Sequence, residues 1–124
     1  MEILIKLVTA FVALIHIYIL WLEMFAWTTR GRKVFKMIPA EQFEKTKAMA
    51  ANQGLYNGFL AAGLVWSFFI QDAAWRQNVA LFFLGCVAVA GLYGAYSVSK
   101  RILMVQTLPA SIGIVLILVS WYLS

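Results

Sequence analysis

Glu23 is the residue best placed to do chemistry in this chain, because it is a carboxylate set inside an otherwise apolar run from Ile3 to Trp27. Lys6 and His16 are the other strongly polar members of that run. Such side chains are costly in lipid and need partners. His16, Leu20, Glu23 and Trp27 follow the i, i+4, i+7, i+11 rule and share one helical stripe. On a second apolar segment, Asn52 with Tyr56 and Gln53 with Asn57 form two adjacent i,i+4 pairs. Tyr93, Tyr96, Ser97 and Lys100 lie on a third, and Arg101 and Gln106 follow. A carboxylate, several amides and several phenols are the groups that orient a small polar solute by charge and hydrogen bonding. No HExxH, CxxC, P-loop or GxSxG occurs, so metalloprotease, redox, nucleotide and esterase readings have no support. The two-Cys or three-His clusters that zinc requires are missing, and no metal is expected.

These groups must be positioned by helices in lipid. Of the 124 residues, 64% are hydrophobic and 12% charged, and the mean hydropathy is +0.86. Soluble domains carry about twice that share of charge. The sole cysteine, Cys86, lies in an apolar run, so no disulfide framework exists. The net charge is +5, but the basic residues sit between apolar runs rather than in a stripe interleaved with aromatics, which excludes a nucleic-acid partner.

A bilayer core of about 30 Å takes roughly 20 apolar residues as helix. Segments at about 3–27, 52–70, 77–98 and 106–123 approach or meet that length, with a first loop at 28–51. Short later loops force antiparallel neighbours. The expected fold is therefore all-α: a four-transmembrane-helix up-down bundle forming one domain over residues 1–124. The first run is too long for a signal-peptide core and has no basic cluster before it. Arg30, Arg32, Lys33, Lys36, Lys45, Lys47, Lys100 and Arg101 fall on one side, against Lys6 and Arg76 on the other. The positive-inside rule then puts both termini outside and residues 28–51 in the cytoplasm. Pro39 predicts a helix starting near residue 39, with Glu41 and Lys45 as an i,i+4 pair. That helix either extends the second span or lies along the interface.

With a rise of about 1.5 Å per residue, His16 sits near the midplane and Glu23 lies ~12 Å toward the cytoplasm. Gln53, Tyr56, Asn57, Tyr93, Tyr96, Ser97 and Gln106 occupy the same half of their segments. Turned inward, these stripes make a polar funnel with Lys100 and Arg101 at its mouth, giving Glu23 a cationic or amide partner. Plainer roles compete with this reading. Asn and Gln hold neighbouring helices together, Glu23 reaches the interface or Lys33, and His16 bonds a neighbouring helix. The five tryptophans form interfacial belts, and Ala90-x-x-x-Gly94 and Gly91-x-x-x-Ala95 allow close helix approach.

HIYILWLEMFAW at 16–27 and NQGLYNGFLAAGL at 52–64, with KR at 100–101 and QTLPA at 106–110, resemble the hallmark segments of a widespread family of small bacterial four-span proteins. That family is known only by a domain-of-unknown-function label. The resemblance implies a multi-pass protein of the bacterial inner membrane and says almost nothing about activity. A more distant similarity is to the MAPEG group, whose size, span number and basic first cytoplasmic loop are alike. There the second span opens with a basic residue, an Asn and then a Glu that help hold glutathione in a trimer. Asn52 matches the Asn, Leu55 stands where the Glu is expected, and Lys100 and Arg101 are all that remains of an arginine-rich third span.

Three readings follow. The first is a protein, expected to be a homo-oligomer, that binds or transports a small polar or amphipathic molecule. Its ligand set would be His16, Glu23, Asn52, Gln53, Tyr56, Asn57, Tyr93, Tyr96, Lys100, Arg101 and Gln106. The second is a MAPEG-like glutathione-dependent transferase. The third is a structural or regulatory membrane subunit without a ligand.

Overall fold

The computed structural model describes all of residues 1–124 and is entirely helical. Its elements are α1 (Glu2–Phe25), α2 (Arg30–Val34), α3 (Gln42–Lys45), α4 (Lys47–Ser67) and α5 (Ala73–Ser97). A π-helical turn (Leu103–Thr107) then runs directly into α6 (Leu108–Leu123). The chain divides into two compact units, one formed by residues 1–15 and 60–124 and the other by residues 16–59. Helices α1 and α4 each contribute a segment to both.

The first unit packs the start of α1, the end of α4, α5 and α6 around an aliphatic core. Ile5, Val12, Ala13, Leu64, Ala80, Leu84, Val87, Ala110 and Ile117 form it. Ala80, Leu84, Val87 and Gly91 are the buried residues of α5. Their spacing of four, three and four places them on one stripe of that helix. The outward faces are equally apolar: Ile3, Leu7, Phe11 and Leu14 of α1, and Phe82 and Val89 of α5, are exposed. A helix apolar on both faces belongs in lipid. Three helical stretches are long and apolar enough to cross a membrane: α1, α5 and residues 103–123. Helix α4 is also 21 residues long, but Lys47, Asn52, Gln53 and Asn57 make its first half polar, and it is not among the three.

Caps explain where the elements end. The Asp72 carboxylate accepts from the Trp75 N–H at 2.9 Å, so α5 begins at Ala73, four residues before the expected Gln77. Arg76 donates to the carbonyls of Ile70 (2.9 Å) and Gln71 (3.3 Å) and pairs with Glu2, which Lys6 also approaches at 3.8 Å. The two basic residues assigned to one membrane side thus meet at a single carboxylate. Pro109 has no N–H for the carbonyl of Val105, and the turn before it is the wide π one. Thr107 of that turn donates its hydroxyl to the Ala88 carbonyl at 3.2 Å, and Gly91 leaves room for it.

The remaining boundaries depart modestly from the expected ones. Helix α1 stops at Phe25 rather than Trp27, because the N–H groups of Thr29 and Gly31 both turn back to the Ala26 carbonyl. Helix α4 spans 47–67 rather than 52–70, and residues 68–70 form turns. The helix expected from residue 39 is divided. A turn closes from the Gln42 N–H to the Pro39 carbonyl, α3 follows as four residues, and α4 starts afresh at Lys47. Residues 47–51 therefore extend α4, while 42–45 form a separate turn of helix. The ion pairs found all involve Glu2, so the Glu41–Lys45 pair is not made.

Two glycines of α5 separate packing from propensity. A Cβ on Gly91 would collide with Thr107, whereas nothing lies within 4 Å of one on Gly85. Gly91→Ala is expected to lower stability by about 1–3 kcal/mol. Gly85→Ala should raise it by about 0.5–1 kcal/mol through helix propensity. Thermal unfolding in detergent reads both, and equal effects would contradict the packing described.

Candidate functional site

The second unit is built on a close approach of two helix segments. Gly54 and Gly58 are one turn apart on α4 and face α1. A Cβ on Gly54 would lie 2.8 Å from Met24 Cγ, 3.0 Å from Glu23 Cβ and 3.2 Å from the Leu20 carbonyl oxygen. One on Gly58 would strike Leu20 Cδ1. Two small residues at this spacing let helix backbones meet closely in an apolar environment. Gln53 and Asn57, each one residue before a glycine, are thereby set against Glu23.

Glu23 is 3% exposed and its two oxygens have different partners. Gln53 Nε2 donates to Oε2 at 2.8 Å, and Asn57 Nδ2 donates to Oε1 at 2.7 Å. Asn57 Nδ2 also reaches the Gln53 carbonyl at 3.2 Å, which ties that amide to its own helix. The carboxyl thus receives an N–H at each oxygen, from neutral donors. Of the two partners foreseen for it, the amide is the one present.

Beyond Glu23 the chain folds into a lid over the same face. Trp27 Nε1 donates to Thr46 Oγ1 at 3.0 Å, and Thr46 Oγ1 donates to the Gln42 carbonyl at 2.8 Å. The Trp27 ring packs against Phe43 (5.1 Å between centroids) and Phe35 (5.4 Å). Arg32 lies over Phe43 at 5.2 Å and donates to the carbonyls of Thr28 (2.6 Å) and Ala40 (2.7 Å). Beneath this lid is an open cleft of about 290 Å³, lined by Glu23, Trp27, Ile38, Gln42, Thr46, Met49, Ala50 and Gln53. Glu23 is its only charged wall residue.

The other expected site residues of the same unit, His16, Asn52 and Tyr56, make no hydrogen bond to Glu23. His16 is fully buried on the same stripe of α1, two turns before Glu23. Asn52 is exposed, and Tyr56 is exposed with its ring tilted beside that of Phe59, 5.9 Å between centroids. The remaining members belong to the first unit. There Tyr93 and Tyr96 are 70% and 89% exposed with rings 6.4 Å apart, Lys100 and Arg101 are exposed, and Gln106 is half-buried on the π turn. Within residues 16–59 the expected set separates, with Gln53 and Asn57 on Glu23 and Asn52 and Tyr56 away from it. The reason is facing: Gln53 and Asn57 flank the glycine ridge, whereas Asn52 and Tyr56 sit about 100° round the helix from them.

Trp27, Gln42, Thr46 and Met49 are cleft residues that sequence reasoning passed over. Trp27 was expected in an interfacial belt, although its place four residues after Glu23 on one stripe was the available signal. Gly54-x-x-x-Gly58 is a signal of the same kind in the sequence, with the spacing of the small-residue pairs of α5. His, Cys, Asp and Glu side chains nowhere gather in a group of three suited to a metal.

An all-helical chain with three membrane-capable helices and a buried carboxyl clamped by two amides defines the class. Within it, the chain belongs to the family described as "Protein of unknown function (DUF1304)", whose model matches residues 10–118. An uncharacterized protein, YpaA, of Lactococcus lactis subsp. lactis (strain IL1403) is 31% identical over 109 residues, covering 86% of this chain and 89% of that protein. No solved structure matches the chain. The family match includes the segments at 16–27 and 52–64 on which the resemblance was drawn.

Gln53→Leu and Asn57→Leu are each expected to destabilise the chain by about 1–3 kcal/mol, because each leaves one oxygen of the buried Glu23 without its donor, and Glu23→Leu by less, because Gln53 is exposed and Asn57 half-buried. The triple leucine variant should recover most of that loss, as an apolar cluster strands nothing. Unfolding titrations in mixed micelles measure the set, and simple additivity would refute a coupled cluster.

Proposed function

We propose that the chain is a four-span, multi-pass protein of the bacterial inner membrane that binds or transports a small polar or amphipathic molecule in the cleft at Glu23. The observation that carries this reading is a buried carboxyl, already hydrogen-bonded at both oxygens, forming the wall of an open cleft large enough for a small solute. Glu23 therefore both joins two helices and lines the cleft.

Helix α4 is the fourth span in this reading. Its 21 residues extend about 31 Å at the α-helical rise, matching the bilayer core. Gln53 and Asn57 spend their donors on Glu23, which lowers the penalty of placing them in lipid. The whole chain then forms one membrane domain with both termini outside and residues 28–51 in the cytoplasm, following the eight basic residues assigned to that side. The cleft opens in the cytoplasmic half. Four spans are few for a carrier, so a homo-oligomer accompanies the transport form.

Topology has a direct test. In a Cys86→Ser background, a cysteine at Lys36 should react with a membrane-impermeant maleimide only in inverted vesicles, and one at Ser124 only in intact cells. Labelling of both from one side removes the four-span arrangement. Binding is tested by thermal shift of the detergent-solubilised chain against a panel of metabolites that includes glutathione. Stabilisation by a panel member is expected in the wild-type chain and should vanish in Glu23→Gln. A blank panel, with Glu23→Gln altering stability alone, leaves only a structural role. A response to glutathione that is lost in Asn52→Ala instead favours the transferase reading.

A further inference from the structure

The cleft at Glu23 is lined by a carboxyl that no basic residue of the chain pairs with. Both carboxyl oxygens accept from amides, which complete hydrogen bonds but carry no charge. The basic residues of the same unit are engaged elsewhere or turned outward. Arg30 donates to the Tyr18 hydroxyl at 2.8 Å, and Arg32 serves two loop carbonyls and the Phe43 ring. Lys33, Lys36, Lys45 and Lys47 are exposed, and the ion pairs of the chain all use Glu2.

An ionised carboxylate offers about four lone-pair sites, of which the amides take two. The free sites favour an occupant that brings both N–H donors and positive charge, and they repel an anion. The rest of the wall decides what kind of cation. Gln42, Thr46 and Gln53 add amide and hydroxyl oxygens, with Thr46 Oγ1 already bonded to Trp27 and to the Gln42 carbonyl, while Ile38, Met49 and Ala50 are apolar and Trp27 is aromatic, a mixed wall unlike the all-oxygen shell of a bare metal ion. Ile38, Met49 and Ala50 do suit the hydrocarbon of an organic cation. A volume of about 290 Å³ lies at the small end of ligand pockets, which run from roughly 300 to 1,000 Å³.

We propose that the Glu23 cleft is a site for a small amphipathic organic cation, its ammonium head bonded to Glu23 and its short hydrocarbon laid along Ile38, Met49 and Ala50. This rests on the binding reading above and names the ligand class for that same cleft.

The test uses equilibrium dialysis of the full chain in non-ionic detergent, with empty micelles as the blank and three probes of equal length: butylammonium, 1-butanol and butyrate. Butylammonium should bind saturably and at least about tenfold tighter than either other probe, the margin expected of a charge-assisted hydrogen bond. Its binding should be lost in Glu23→Gln and retained in Glu2→Gln. Met49→Lys, at a position 74% exposed, should weaken it without disturbing the fold, by placing a like charge on the wall. Butanol or butyrate binding as tightly as butylammonium overturns the cation assignment while leaving the cleft a binding site. Butylammonium binding that is unchanged in both Glu23→Gln and Met49→Lys overturns the assignment to this cleft. If none of the three binds, the cation class falls, and the broader reading is then decided by the metabolite panel alone.

Discussion

A carboxyl taken out of water must find donors or it will not stay buried, and the arrangement of residues 16–59 follows from that need. Glu23 finds one donor for each oxygen, both from α4 and both neutral. The donors reach it only because Gly54 and Gly58 let the α4 backbone settle onto α1, so the glycine ridge and the polar clamp are one device. In surroundings of low dielectric such hydrogen bonds strengthen, and so does the penalty for losing one.

The lid shows how a polar loop is made rigid with few residues. Trp27 leaves the end of α1, packs against Phe35 and Phe43, and hands its indole N–H to Thr46, which in turn bonds back to Gln42. Arg32 fastens the other side through two carbonyls and a ring. The cleft is what this bracing leaves uncovered: a wall rather than a filled core, with a carboxyl in it.

The first unit has a different economy. Its polar groups gather at Glu2, Lys6 and Arg76, and its middle is aliphatic both inside and outside. Close contacts there again rely on glycine, with Phe83 against Gly63 and Thr107 against Gly91, and the wide turn before Pro109 absorbs the hydrogen bond that proline cannot make. In contrast to the Glu23 region, these contacts serve packing alone.

The helical class, the membrane-capable stretches and the sharing of one stripe by His16, Leu20, Glu23 and Trp27 were all legible in the sequence, because hydropathy and helical periodicity are local properties. Family membership was legible too, through the segments at 16–27 and 52–64. Which amides meet the carboxyl was decided only by the tertiary structure. Asn52, Gln53, Tyr56 and Asn57 are nearly equivalent candidates along the chain, and their roles separate only when the glycine ridge fixes the rotation of α4 against α1. The lid was hidden for the same reason, since Trp27 and Thr46 are 19 residues apart and no local rule joins them.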